Sequence, residues 1–275
     1  MSHWLLDILG DTRAQALKQA EYIQVYREFQ DTPPDADEEI IRHAAEVLEM
    51  VVLDLLLDNV SDNDNKLKEL QRAAADSFRL RRVLPRPDDP IEAATVLLHT
   101  SALAVIGDMG ADAARMLREE GWPELPLESS DWGRHTWATI LDVWLRLIRK
   151  DGWGDRDRVL ERISTLRDSQ AEFEKDYLDN VEPIKAKSSA LELIGLYHLA
   201  KAAEIFALFI TDGVVDGKYQ IQGMLDTHFD RALAVCEHSQ MFRLEPLTHI
   251  LAACSSRMVG NCIWTVTRAV NSRVT

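Results

Sequence analysis

Cysteine pairs, strand patterns and long apolar runs are all missing from this sequence. It has only 3 Cys, in no CxxC pair and odd in number, which excludes a disulfide framework and favours reduced thiols. The longest purely apolar runs are far shorter than the roughly 20 residues of a membrane-spanning helix, and the start lacks the basic region and cleavage site of a signal peptide. We therefore expect a cytoplasmic protein that makes no membrane contact.

Motifs for metal binding and catalysis are missing as well. The sequence has no HExxH, no Glu-x-x-His, no lysine-containing phosphate loop and no GxSxG. His228, Cys236 and His238 lie close together in the sequence, but His238 points away from the other two on a helix and a fourth ligand is missing. Cys236 is therefore expected to be a core residue. We predict no metal, no cofactor and no catalytic residue within these 275 residues.

Positive charge is scarce, with 31 basic against 46 acidic residues and a net charge of -15. Such a surface repels a phosphate backbone, so we expect nucleic acid to be contacted only indirectly. Residues 66–86 depart from this pattern, because they hold seven basic and two acidic residues. They form a candidate contact for nucleic acid or an acidic partner, with ion pairs to the chain's own acids as the alternative. The basic residues of this segment are Lys66, Lys68, Arg72, Arg79, Arg81, Arg82 and Arg86.

Helical periodicity is what the sequence does have, in almost every segment. Proline-rich breaks at 84–90 and 121–130 interrupt it. We predict an all-α fold of about nine to ten helices, either an irregular multi-helix bundle or a degenerate helical-hairpin solenoid. Its N-terminal helical subdomain covers 1–120, and its C-terminal subdomain covers 121–275. The predicted helices cover about 3–30, 35–59, 64–83, 91–119 (one or two, interrupted near Gly107–Gly110), 131–150, 155–180, 183–213, 218–239, 245–258 and a last one from about 261.

Apolar stripes predict how three of these helices are packed. The helix over 183–213 is apolar on two faces, which predicts a central position, and Gly195 and its alanines favour close approach of its neighbours. The helix over 155–180 has sparse apolar positions and is expected to pack on one side only. On the helix over 64–83 the predicted core stripe is Leu67, Leu70, Ala74 and Phe78.

The last fifteen residues, "NCIWTVTRAVNSRVT", form an apolar stripe without the usual helix stop signals. We expect its first turns to pack internally, with Trp264 as an anchor, and its last turns, from about Val270, to be exposed. The chain is then expected to continue into a downstream domain. The candidate residues of an interface with that domain or with a partner subunit are Trp264, Arg268, Val270, Asn271 and Val274.

Three segments carry a resemblance to a known family. They are "NCIWTVTRAVNSRVT" at 261–275, "DWGRHTWATILDVWLRLIRKDGW" at 131–153 and "LYHLAKAAEIFALFITDG" at 196–213. Together they resemble the region preceding the motor in large bacterial DEAD/DEAH-box superfamily 2 helicases of antiphage defence. The resemblance implies a non-catalytic helical accessory domain that sits against the motor or a partner subunit, within an ATP-dependent helicase. The alternative is a free-standing, tetratricopeptide-like adaptor that binds proteins through a groove between helices.

Overall fold

The structure is a computed structural model that describes 29, 32–57, 64–119, 124–125, 127, 132–149, 156–173, 188–212, 218–239 and 245–271. Side chains are described for most of these residues, but not for 188–192, 211–212, 218–220, 236–239, 260–271 and five single positions. The described residues form nine helices and no strand. The chain is therefore an all-α multi-helix bundle, and the predicted fold class is confirmed. The helices are α1 Glu38–Leu57, α2 Asp64–Arg81, α3 Pro90–Ile106, α4 Gly110–Glu119, α5 Trp132–Ile148, α6 Arg156–Phe173, α7 Ser188–Asp212, α8 Lys218–Ser239 and α9 Glu245–Asn271.

Helix α3 begins and ends where local chemistry requires it. Asp89 caps its N-terminus, because one side-chain oxygen accepts hydrogen bonds from the backbone N–H groups of Ile91 and Glu92 at 3.0 and 2.9 Å. Pro90 follows at the first helical position, where its missing N–H costs nothing. At the other end, a Cβ on Gly107 would lie 2.7 Å from the backbone nitrogen of Ala75. Only glycine allows α2 and α3 to approach this closely.

Helices α3 and α7 are the centres of the bundle. Helix α3 contacts α2, α4, α5 and α9, and α7 contacts α5, α6 and α8. The predicted central position of α7 is thus confirmed, whereas the equally central position of α3 was not predicted. Trp144 of α5 stacks on Phe206 of α7 with ring centroids 5.0 Å apart, and both side chains are buried.

One main hydrophobic cluster runs from Val51 on α1 to Val259 on α9. It includes residues on both sides of the predicted subdomain boundary at 120/121, and α3 contacts both α5 and α9 across that boundary. A smaller cluster joins α1 to the end of α2. The division into two subdomains stays a prediction.

Three expectations about packing need correction. Leu67 is 40% exposed and does not belong to the core, although Leu70, Ala74 and Phe78 do. Gly195 is not required for close approach, because a Cβ there would meet only a methyl group of Val235 at an ordinary 3.6 Å. The predicted break between a helix over 245–258 and a terminal helix is absent, since α9 is continuous from Glu245 to Asn271.

Two predicted elements lie partly or wholly outside the described residues. Of the opening helix over 3–30, only Phe29 is described, and its ring lies edge-on against His43 with centroids 5.4 Å apart. The last four residues, 272–275, are also outside the described part.

Candidate functional site

The residues of the basic segment fall into two groups in the structure. Lys68, Arg72 and Arg79 are exposed on α2, and Lys66 is half-buried beside them. Arg81, Arg82 and Arg86 lie at the C-terminal end of α2 and in the following loop, where they line a common cleft. Four of the seven basic residues therefore belong to one largely exposed face of α2, and the other three line a separate cleft at the end of this helix.

Arg81 cannot contact an external phosphate in the way that its place in the basic segment predicted. Its side chain is only 6% exposed and forms a two-pronged ion pair with Glu49 of α1. The guanidinium Nε donates to one carboxylate oxygen, and Nη2 donates to the other at 2.9 Å. Two of its five N–H donors are thus directed to a buried carboxylate inside the protein.

The carboxylate of Glu49 is the centre of a buried polar cluster. The hydroxyl of Ser77 lies 3.3 Å from it, and His99 of α3 is buried nearby. Burial raises the pKa of Glu49, but the charges of Arg81 and His99 and the hydrogen bonds from Arg81 and Ser77 outweigh it, so the pKa is lowered. Burial also lowers the pKa of His99, against the attraction of Glu49. At neutral pH the cluster therefore holds an ionised Glu49 beside a neutral imidazole.

Arg81 of this ion pair also lines the cleft, which has a volume of about 240 Å³. Arg42 of α1 joins Arg81, Arg82 and Arg86 in lining it. The rest of the lining is largely apolar and comes from the proline-rich loop and from α3 and α4. No acidic residue is among the described residues that line it, although the chain as a whole is strongly acidic. The largely apolar lining consists of Leu84, Pro85, Pro87, Val96, Leu97, Thr100 and Met116.

Two arginines of the cleft form ion pairs with acids at its edge. Arg42 pairs with Glu38 one turn earlier on α1, and both side chains are about half exposed. Arg82 lies 3.7 Å from Glu119 at the end of α4, and these side chains are 38% and 54% exposed. The exposed pairs of Arg42 and Arg82 contribute at most about 1 kcal/mol each, so they open easily. On α2 itself, Arg79 pairs with Asp76, whose side chain is only 6% exposed.

Sequence reasoning located three of the four arginines but missed Arg42 and the cleft itself. Arg42 lies on a different helix, about 40 residues before the others, and nothing in its neighbourhood marks it as unusual. The apolar part of the lining was also not predictable from the sequence, because Val96 and Met116 were expected simply as residues of helices. Only the packing of α1, α2, α3 and α4 brings these residues together.

A second group of polar residues lies between α7 and α8. Nδ1 of His198 and Nδ1 of His228 are 3.2 Å apart, so one ring must donate a proton to the other. Burial, followed by the nearby charges of His228 and Arg231, lowers the pKa of His198 to about 4. Burial also lowers the pKa of His228. The positive charges of Arg231 and Lys201 lower this pKa further, whereas the negative charge of Glu204 raises it.

This histidine pair predicts a loss of stability on mild acidification. A histidine in the unfolded chain has a pKa near 6.5, so between about pH 6.5 and 4 the unfolded state binds more protons than the folded state. The contribution of the pair to the free energy of unfolding should be fully present above that window. The free energy of unfolding should then fall by about 1–2 kcal/mol as the pH drops through the window, allowing for the partial exposure of the rings. Thermal denaturation across this pH range measures the loss.

The matched variant is His198→Asn/His228→Asn, which keeps a polar pair but removes both titrating groups. Its stability should depend less on pH than that of the parent between pH 6.5 and 4. The pH dependence that His99 causes is the same in both proteins. Equal pH dependence in parent and variant would contradict the role of the pair.

The predicted interface residues of the terminal segment cannot be placed by their side chains. Trp264, Arg268, Val270 and Asn271 lie within α9, but their side chains are outside the described part, and Val274 is outside it altogether. The described side chains of α9 lie in its first half, and the helix packs on α1, α3 and α8. The interface at the end of α9 stays a prediction.

Metal-binding and thiol chemistry find little support among the described side chains. No three of the described His, Cys, Asp and Glu residues are grouped so that they could hold a metal ion. The side chains of Cys236 and His238 lie outside that part. Cys254 is a free, fully buried thiol, and burial raises its pKa, so it remains protonated.

The apolar stretch Leu193–Ile210 of α7 is long and apolar enough to cross a membrane by length and composition alone. However, 61% of this stretch is buried within the fold, where it contacts α5, α6 and α8. The core helix of a globular protein meets the same criteria, so the stretch is weak evidence for a membrane span.

Comparisons with protein-family models, with curated proteins and with solved structures give no match for this chain.

Proposed function

We propose that this chain is a non-catalytic helical interaction module that positions or restrains a nucleic-acid motor. In this proposal it forms the N-terminal part of an ATP-dependent helicase of a bacterial defence system, and it contacts the motor domain or a partner subunit. The resemblance of three segments to such accessory regions supports it. The observation that carries the proposal is the concentration of basic side chains on one face of α2, in a chain with a net charge of -15.

Charge explains how this face would act. Lys68, Arg72 and Arg79 are exposed on α2, so an acidic protein surface or phosphates held by a motor can reach them. The remaining surface is predominantly acidic and repels nucleic acid, so the chain alone should bind DNA or RNA weakly. The contact would therefore orient the module on a partner rather than provide strong binding of its own.

The alternative function is a free-standing adaptor that binds proteins. The observation in its favour is the cleft between α1, α2, α3 and α4, which is a groove between helices. The coding sequence after Thr275 separates the two proposals. A phosphate-loop lysine and a DExH box in the same reading frame would support the motor, whereas a stop codon there would favour the adaptor.

Charge reversal on α2 tests the basic face directly. Lys68→Glu/Arg72→Glu should weaken the binding of DNA or RNA by the protein together with its motor, because two phosphate contacts are lost and replaced by repulsion. The slope of log affinity against log salt should fall by about 1 for each lost phosphate contact. Fluorescence anisotropy with a labelled strand at several salt concentrations measures both effects.

The matched control is Arg158→Glu/Arg231→Glu, which changes the net charge equally at exposed positions on α6 and α8. Only a small change from long-range repulsion is expected for it. If both double variants weaken binding equally, the effect is one of net charge and the basic face has no specific role. If the α2 variant loses stability but keeps its binding, these residues act in internal ion pairs instead.

A further inference from the structure

Four arginines reach one cleft from three separate parts of the chain. Arg42 comes from α1, Arg81 from the end of α2, and Arg82 and Arg86 from the loop that follows. Each guanidinium offers five N–H donors in a rigid fork, and a carboxylate partner occupies at most two or three of them. Donors therefore remain for an anion inside the cleft, even where an ion pair exists.

The four arginines differ in how firmly they are held. Arg81 is held by its buried ion pair with Glu49, so its guanidinium keeps its place in the lining of the cleft. Arg82 is exposed and 3.7 Å from Glu119, so it can turn towards an anion at little cost. Part of the side chain of Arg86 is buried, which lowers its pKa, and a bound anion would stabilise its charged form.

The kind of anion follows from this arrangement. A carboxylate is satisfied by one two-pronged arginine, whereas a phosphate has three terminal oxygens and up to two negative charges. Several guanidinium groups that approach from different elements fit the phosphate better. Arginine is also the residue that most often provides such multidentate recognition of phosphate.

The size and lining of the cleft limit what can be attached to the phosphate. Its volume of about 240 Å³ is below the roughly 300–1,000 Å³ of pockets for drug-sized ligands. Besides the arginines, it is lined by Leu84, Pro85 and Leu97 and by other largely apolar groups, which suit a short apolar carrier.

We propose that this cleft binds the phosphate group of a small phosphate monoester. Arg82 and Arg86 provide the main contacts, Arg81 is held in place by Glu49 at the base, and the apolar lining receives the carbon part of the ester. The site does not depend on the proposed contact with a motor, because Lys68 and Arg72 do not line the cleft. The phosphate site can therefore be disproved without affecting the proposed contact with a motor, and the reverse also holds.

Calorimetric titration of the 275-residue chain with inorganic phosphate and with n-butyl phosphate tests the proposal. Both should bind, and the ester should bind about tenfold more tightly, because about two of its methylene groups become buried. Arg82→Ala/Arg86→Ala should lower the affinity for both probes by at least about tenfold, since charge-assisted hydrogen bonds are lost. Arg81 is left unchanged, because its replacement would also break a buried ion pair.

The control variant is Arg72→Ala/Arg79→Ala, which removes two exposed arginines of α2 that do not line the cleft. It should bind both probes as the parent does, and circular dichroism should show that both variants are folded. Equal losses in the two variants, or heat changes reproduced by chloride at the same ionic strength, would overturn the site. Equal affinity for inorganic phosphate and the ester would overturn the assignment of an ester.

Discussion

Replacing Ala203 with glutamate should unfold the chain or lower its melting temperature by roughly 10 °C or more. Ala203 is fully buried on α7, the helix that contacts α5, α6 and α8. A carboxylate there would lose its hydration among apolar side chains, at a cost of several kcal/mol. For a domain of this size each kcal/mol corresponds to roughly 2–4 °C in the melting temperature.

The cost is large because α7 has no room to move the new side chain to water. Its neighbours in sequence, Ala200, Ala202, Phe206 and Ala207, are also fully buried, so both flanking faces of the helix are occupied. Glutamate is also much larger than alanine, and overpacking adds to the charge penalty. The sum of the charge penalty and the overpacking penalty approaches the free energy of unfolding of a typical protein, which is about 5–15 kcal/mol.

Ala234→Glu is the matched control, because it makes the same change at an exposed position of the adjoining α8. It should change the melting temperature by no more than a couple of degrees. Thermal denaturation followed by circular dichroism at 222 nm compares the three proteins. A parent-like melting temperature for the Ala203 variant would show that this face of α7 is accessible, contrary to the structure.

Removing the carboxylate of Glu49 should cost about 3–5 kcal/mol, because Arg81 would then be a buried charge without its main counter-ion. The side chains of Arg81 and Glu49 are 6% and 5% exposed, so water would replace the lost carboxylate only in part. Chemical denaturation of Glu49→Ala measures the loss. The pKa of Glu49 is lowered in the folded state, so this stabilisation is present above about pH 4.5 and is lost as the pH falls below it.

Two further variants separate the ion pair from simple packing. Glu49→Leu/Arg81→Met removes both charges and keeps the volume, so it should recover most of the stability that Glu49→Ala loses. Glu38→Ala breaks the exposed pair with Arg42 and should cost less than about 1 kcal/mol. If Glu49→Ala costs no more than Glu38→Ala, then the buried pair contributes little.

Helical faces were largely predictable from the spacing of apolar residues. On α5 the apolar residues that recur at helical spacing are all buried, namely Trp137, Ile140, Leu141, Trp144 and Ile148. On α6, which was expected to pack on one side only, the apolar Val159, Ile163 and Leu166 are buried while many charged neighbours are exposed. Leu67 shows the limit of this reasoning. Periodicity identifies the face of a helix, but whether a neighbouring helix extends as far as a given turn depends on packing.

The candidate site was predictable only in part. The excess of basic residues over 66–86 is a property of neighbouring residues, so composition alone revealed it. The burial of Arg81 was not visible, because Glu49 lies 32 residues earlier and periodicity places Arg81 among solvent-facing cations. Arg42, Val96 and Met116 join the cleft through contacts between four helices, and contacts of that range leave no local signal.

The sequence by itself determined that this chain is all-helical, where most helices begin and end, and that its charge is strongly acidic with one basic segment. These properties follow from local spacing, capping and turn residues, which act over a few positions. The tertiary structure alone decided which cations are buried, which residues line the cleft, and that His198 meets His228. Those outcomes depend on how distant helices pack, because burial and pairing arise only between surfaces that the fold brings together.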